Sequence, residues 1–272
     1  MAGVLDDDVT PTDDRLHRES CPVIKGSGGL IRPEWCSADF AGLMRALPVD
    51  FAAENYTRHP DLLLHTEGAL QVFFTPFDHL PRAGKVLLVG HTPGRHQAYL
   101  ALTTTAEQLR AGASIDIALT EASRVGSFAG AMRRNIAAMF DDLGLHQHLG
   151  LSSCTELFGE RRDLLAGTSA ICYPVFVNDA NYGGGNPPIV RSPILRAFAS
   201  QVLAAELARI PEALIVPLGR AAEDGVALAQ VDQKRVLSGF PHPSGANGHR
   251  LKHFEAARER LAATITTWFG AN

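Results

Sequence analysis

Short unbroken apolar runs alternate along this chain with longer amphipathic stretches. Val86-Leu87-Leu88-Val89, within residues 85–89, is one such run. Residues 169–177, 213–218 and 235–240 are others. Runs of this length, bounded by turn residues, predict strands buried on both faces. Residues 94–111 predict a helix opening at a Pro-Gly turn. From Phe128 onward, apolar residues recur with helical spacing at Met132, Ile136, Met139, Phe140 and Leu143, and Gly144 stops them. Ser192-Pro193 is a helix cap followed by a first-turn proline, with Leu195, Phe198 and Val202 as the buried stripe. Leu251, Phe254, Leu261, Ile265 and Trp268 stripe a final helix. Strands alternating with helices predict an α/β fold: a mainly parallel four-stranded sheet with helices on both faces.

The first third reads differently. Residues 1–20 are acidic and poor in apolar residues, which predicts a disordered tail. Residues 21–81 read as an extension packed on the core, with a short helix over 39–47 and two apolar runs within 62–74 that can pair as strands. Residues 82–272 form the main domain.

Charge sharpens this division. The chain carries 25 Lys and Arg against 29 Asp and Glu, a formal net charge of -4. Asp6, Asp7, Asp8, Asp13, Asp14 and Glu19 in the tail outweigh Arg15 and Arg18 by that same margin, so the remainder is near neutral. Binding nucleic acid by bulk charge is therefore excluded, whereas a local basic face is compatible. His249, Arg250, Lys252, His253, Arg258 and Arg260 cluster after one polar loop, as a phosphate-facing patch or a solvated helix face. No apolar run is long enough to span a membrane, and the N-terminus lacks the basic start and apolar stretch of a secretory signal. A cytoplasmic protein is expected. Cys21, Cys36, Cys154 and Cys172 match no zinc or iron–sulfur spacing, and no cofactor or metal is expected.

Three polar loops follow predicted strands: residues 90–95, 178–186 and 242–247. In open α/β sheets, ligands bind beyond the carboxyl ends of strands, so these loops are expected on one rim. Common nucleotide and hydrolase motifs are absent. There is no Gly-x-x-x-x-Gly-Lys phosphate loop, Gly90-His91-Thr92-Pro93-Gly94 lacks the third glycine of a dinucleotide fingerprint, and Gly126-Ser127-Phe128-Ala129-Gly130 misplaces the serine of a nucleophile elbow.

With Gly90-His91-Thr92-Pro93-Gly94 after the first core strand and His242-Pro243-Ser244 after the last, the chain resembles the uracil-DNA glycosylase superfamily. The order between them also fits: Phe128-Ala129-Gly130 before a helix, Tyr173-Pro174 after a middle strand, and the run 213–219. The resemblance covers residue 85 to the C-terminus. It implies a three-layer α/β/α fold and a monofunctional DNA glycosylase, a monomer acting on double- or single-stranded DNA and leaving an abasic site. Such an enzyme flips the base out of the stack and stabilises it as it departs.

On that resemblance, His242 donates to the O2 oxygen of the departing pyrimidine. His91 and Thr92 hold or activate water. Phe128 stacks on the base, and Tyr173, Asn178 and Asp179 border it. Gly94, Arg95, Ser244, Asn247, His249 and Arg250 face DNA. Each has a plain alternative: a helix-capping or phosphate-contacting histidine at 242, an outward His91 touching phosphate while Thr92 holds water without acting as its base, the start of a core stripe at Phe128, an ordinary turn at 244–247. The chain departs from the family where the first motif often carries a carboxylate or amide, here His91 and Thr92, and where the middle strand ends near an asparagine, absent from residues 168–174. Asp179 can accept from the exocyclic amine of cytosine, and Gly183–Gly185 leave room for a substituent. The expected substrate is a modified or deaminated pyrimidine, glucosylated hydroxymethylcytosine of phage DNA among the candidates. Plain uracil repair, a DNA-binding module without chemistry and an enzyme of free nucleotides are the alternatives.

Overall fold

A computed structural model of the chain describes residues 37–47, 57–77, 84–245 and 247–271. The tail over residues 1–20, Cys21 and Cys36 lie outside them. The fold is mixed α/β, with one parallel and one antiparallel sheet.

The parallel sheet has the order β4-β3-β7, with β3 at Val86–Gly90, β4 at Leu165–Ser169 and β7 at Leu214–Pro217. Register is in step: Leu88 lies opposite Gly167 on one side and Val216 on the other. Both faces are buried, which explains runs without polar alternation. Val86, Leu88, Leu165, Leu214 and Val216 join Ile136 and Phe140 of α4 (Ala131–Asp142) and Phe254, Leu261 and Ile265 of α8 (Arg250–Ala271). Leu87, Val89, Ala166 and Ile215 join Leu102 of α2 (Arg95–Arg110), Leu119 of α3 (Ile115–Gly126) and Phe198.

Two strand expectations need correction. Residues 235–240 do not form a fourth strand: a 3-10 turn at Gln233–Arg235 leads into a single parallel bridge, Val236 with Ile215. Gly239 then takes a φ of 85°, which ends the extended backbone. The middle strand ends at Ser169, and Val175–Val177 is β5 of the other sheet. Pro174 supplies no N–H for continued pairing, and its carbonyl instead accepts from the Phe73 N–H.

The antiparallel sheet has the order β1-β2-β5-β6. The hairpin β1 (Leu63–Glu67) and β2 (Leu70–Phe73) comes from the extension, as its two apolar runs predict. β2 pairs with β5, which turns through Asn178-Asp179 into β6 (Ala180–Asn181). Helix α1 (Ser37–Ala46) lies close to the expected short helix, and its Phe40 stacks on Phe74 with centroids 3.9 Å apart.

Sequence periodicity did not assign α3, the short α5 (Leu145–Leu149) or α7 (Arg220–Leu228). The capped helix at Pro193 continues from Pro193–Ala197 through a π-helical Phe198–Leu203 into Ala204–Ala208, together α6. In α8, Leu251 leaves the predicted stripe and is 69% exposed, because the helix begins beyond the edge of the core.

Helix α7 reaches the sheet rim through Gly225. A Cβ there would lie 2.4 Å from the Cβ of Ala170. Gly225→Ala gains helix propensity of about 1 kcal/mol but forces α7 off the rim. A net loss of about 1–2 kcal/mol is expected from overpacking, read as a lower midpoint in denaturant unfolding.

Candidate functional site

The carboxyl ends of β3, β4 and β7 open into a cavity of about 570 Å³. Its wall combines His91, Thr92, Phe128, Ser169, Asn181, Tyr182 and His242, among other residues. A second hollow of about 470 Å³ adjoins it over the end of β7 and shares His91, Gly183, Leu218 and His242 as a boundary.

The two loops singled out by sequence therefore meet. The rings of His91 and His242 are 5.5 Å apart between centroids. His91 follows directly from the last residue of β3. Its Nε2 lies 3.1 Å from the Tyr182 carbonyl, which can only accept, so Nε2 carries the proton and Nδ1 keeps its lone pair. Burial lowers the His91 pKa, partly opposed by that hydrogen bond. His242 is held from the other side. The Ser244 N–H donates to its Nδ1 at 3.3 Å, which puts the proton of the neutral ring on Nε2. Burial first, and the neighbouring His91 second, push its pKa down from the usual 6.5 to about 4. The pair thus presents one neutral donor and one neutral acceptor.

Backbone geometry sets these positions. Gly219 has a φ of 84°, and a Cβ on it would lie 2.9 Å from that of His242. The Gly219 N–H donates to the Phe240 carbonyl, tying the end of β7 to the histidine loop. Asn135 of α4 donates to the Pro243 carbonyl at 2.7 Å, and Asn247 donates to the His242 carbonyl at 3.1 Å. Arg250 donates to the Ser244 carbonyl at 2.9 Å. Asn247 and Arg250 thereby brace the loop from within, whereas His249 is exposed beside His253. Ser244 lines the cavity.

Phe128 lies before α4, not inside it. Its φ of 52° is costly for an aromatic residue and concentrates at functional sites. Its ring covers Gly167, where a Cβ would come within 2.7 Å of it, and reaches toward Gly90. Arg133 holds the strained segment by donating to the carbonyls of Arg124 at 2.8 Å and Ser127 at 2.7 Å, and Arg162 donates to Ser123 at 2.7 Å. These arginines close the C-terminal carbonyls of α3.

Other expected roles change. Thr92 donates its hydroxyl to the Tyr173 carbonyl at 2.8 Å and accepts from the Val175 N–H at 3.2 Å, so it clamps the rim rather than positioning water. The Tyr173 ring is buried between Phe74 and Phe198, away from the cavity wall. Asn178 and Asp179 form the two-residue β5–β6 turn, both with positive φ, as short polar residues tolerate. Asp179 pairs with Arg58 on the surface and does not line the cavity. Gly94 caps α2, and its N–H donates to Gln97. Arg95 sits over the Phe176 ring at 5.2 Å and donates to the Asp179 carbonyl at 2.5 Å, which ties it to the hairpin.

Sequence reasoning missed Ser169, and it placed Asn181 and Tyr182 within the rim loop 178–186 without giving either a role. Ser169 ends β4 on the cavity side, while its neighbour Thr168 points the other way and donates to buried Glu206. Strand alternation carries that signal once the boundary of β4 is known. Asn181 and Tyr182 needed the antiparallel sheet, whose partner strand lies more than a hundred residues upstream. His146 and His148, on α5, line neither hollow; His146 faces Asp141 at 3.5 Å. Among the described residues no cluster of metal-ligating side chains occurs, and no helix is long and apolar enough to cross a membrane.

No family model matches the chain, and no solved structure matches it. A relative in Bacillus subtilis (strain 168), "Uncharacterized protein YoxB", is 38% identical over 240 residues, which cover 86% of this chain and 93% of the relative. The chain belongs to the family of the Bacillus subtilis protein YoxB.

Proposed function

We propose that this protein is a monofunctional DNA glycosylase acting on a modified or deaminated pyrimidine, with the three-layer architecture of the uracil-DNA glycosylase superfamily. One observation carries the reading: two neutral histidines of opposite hydrogen-bonding polarity, from two loops at one sheet rim, face one cavity floored by a strained phenylalanine.

Each part has a task in cleaving a base from its sugar. The extruded pyrimidine enters the cavity and stacks on Phe128. As the bond from C1′ to N1 breaks, its electron pair moves into the base, and charge collects on O2. His242 donates from Nε2 to that oxygen. A neutral donor held in place needs no reorganisation as charge develops. The sugar becomes oxocarbenium-like, and water attacks C1′ while its proton passes to Nδ1 of His91. The products are the free base and an abasic site. His249 and the exposed start of α8 supply phosphate contacts.

The adjoining hollow favours a substrate larger than uracil. It continues past the histidine pair and is lined by Gly183, Gly184, Gly185 and Gly219, with Arg220 and Asp224 at its edge. A bulky polar group on the pyrimidine ring, such as the sugar of glucosylated hydroxymethylcytosine in phage DNA, fits that space. Anti-phage defence is the corresponding biological role, and uracil excision in base repair is the alternative. The absence of a carboxylate at residues 90–94 favours a second reading, a DNA-binding module without chemistry. Mass spectrometry of bases released from uracil-containing, ordinary and phage-modified DNA decides between them: binding with no base released from any of the three sinks the enzymatic reading.

His242→Ala is expected to slow base release by about a hundred- to a thousandfold, the loss typical of one preorganised donor. Single-turnover release at the parental rate would rule out its catalytic role.

The pH dependence follows from the direction of both shifts. Each histidine stays neutral below the ordinary value of 6.5, and His242 down to about 4. Base release should stay level as pH falls through 6.5 and decline below it as first His91 and then, toward about 4, His242 take up protons. Folding stability should fall over the same window, because the unfolded chain takes up protons near 6.5 that the folded chain refuses. Histidine titration by NMR checks this: His91→Asn should raise the His242 midpoint, because it removes a neighbour that opposes protonation of His242 once it is itself protonated.

A further inference from the structure

The amide of Asn181 stands at the wall of the cavity in a fixed orientation. The Arg95 backbone N–H, in the first turn of α2, donates to Asn181 Oδ1 at 3.0 Å. Only the oxygen can accept that proton, so Nδ2 must point the other way. Nδ2 lies on the Gly94 side, 4.0 Å from where a Cβ on Gly94 would stand, and Asn181 lines the cavity that holds Phe128 and His242. Its backbone is fixed as well. Asn181 pairs with Phe176 at the edge of the antiparallel sheet, and the extension's β2 holds β5 from the far side. The next residue, Tyr182, accepts the proton of His91. A donor is therefore presented one residue from the group that orients His91.

From this arrangement we propose that Asn181 is a substrate-orienting residue: its Nδ2 donates to an oxygen acceptor of the extruded nucleotide, either a base carbonyl or a flanking phosphate. The proposal rests on the glycosylase reading for its substrate and adds a specific contact to it. The amide offers its N–H donors away from Arg95, which takes one lone pair of Oδ1 and fixes its orientation. It selects for an acceptor and against an amine at that position. It also gives residues 63–73 a part in the site, because their pairing sets where the amide stands.

Two variants separate this role from a structural one. Asn181→Asp keeps the oxygen that accepts from Arg95 but replaces the donor with a second acceptor. Asn181→Ala removes both. Affinities of the full chain are measured by fluorescence anisotropy over a range of salt concentrations. One duplex carries a tetrahydrofuran abasic analogue; the other carries a 2′-fluorinated deoxyuridine or deoxycytidine that resists cleavage. Asn181→Ala should weaken binding about tenfold, and Asn181→Asp about a hundredfold because an acceptor then faces an acceptor.

A structural role predicts the reverse order, with Asn181→Asp nearer the parent, and that order overturns the proposal. Equal binding by all three proteins, or no binding of either duplex by the parent, overturns it too. Weakening by Asn181→Ala with both duplexes identifies a phosphate oxygen. Weakening only with the base-containing duplex identifies a base carbonyl. If the predicted order holds while no base is released from any DNA, the chemistry fails and the contact stands.

Discussion

The hydrogen bond from His91 Nε2 to the Tyr182 carbonyl joins the two sheets where both border the cavity. On one side lies the end of β3, fixed by parallel pairing to β4 and β7. On the other lies the hairpin of β5 and β6, fixed by antiparallel pairing to the extension. A carbonyl accepts and never donates, so the bond settles which imidazole nitrogen is free as well as where the ring stands. The hydroxyl of Thr92 repeats the linkage one residue on, through the Tyr173 carbonyl and the Val175 N–H. The short segment after β3 is thus wired to the segment after β4 by both its side chains and its backbone.

That wiring explains why the extension pairs with the core instead of merely covering it. A wall made of a two-strand hairpin alone is marginally stable in water. Here β1 and β2 complete a four-stranded sheet, and Phe73, Phe74 and Phe176 bury its inner face against the main core. Arg58 on Asp179 and Arg95 over Phe176 hold the tip of the hairpin. A position that reads as a base-contacting carboxylate is, in the folded chain, part of the scaffold that supports the contact surface.

Strain and satisfaction are balanced at Phe128. An aromatic residue at positive φ persists only where its surroundings over-determine it. Arg133 and Arg162 supply that by occupying the last carbonyls of α3, and Gly167 and Gly90 leave the ring its place. The consequence is an apolar face exposed to a cavity beside two uncharged histidines. Such a site can hold a planar ring and offer directed hydrogen bonds from uncharged imidazoles, with Arg95 the charged side chain on its wall.

The sequence by itself determined the parallel strands at 86–90 and 214–217, the hairpin at 63–73, the long final helix, and the pairing of the His91 and His242 loops on one rim. These are legible because an apolar run buried on both faces has no other stable environment, and because parallel strands must bring their carboxyl ends to one side. Only the tertiary structure decided where β4 ends, that residues 235–240 add a single bridge, that Tyr173 and Asp179 serve the frame, that Thr92 lines the cavity while its hydroxyl clamps the rim, and that Ser169, Asn181 and Tyr182 line the cavity. Several of those outcomes depend on contacts far apart in the chain, such as Thr92 to Tyr173 and Arg58 to Asp179. Local periodicity records which face of an element is buried; it carries no record of the partner that buries it.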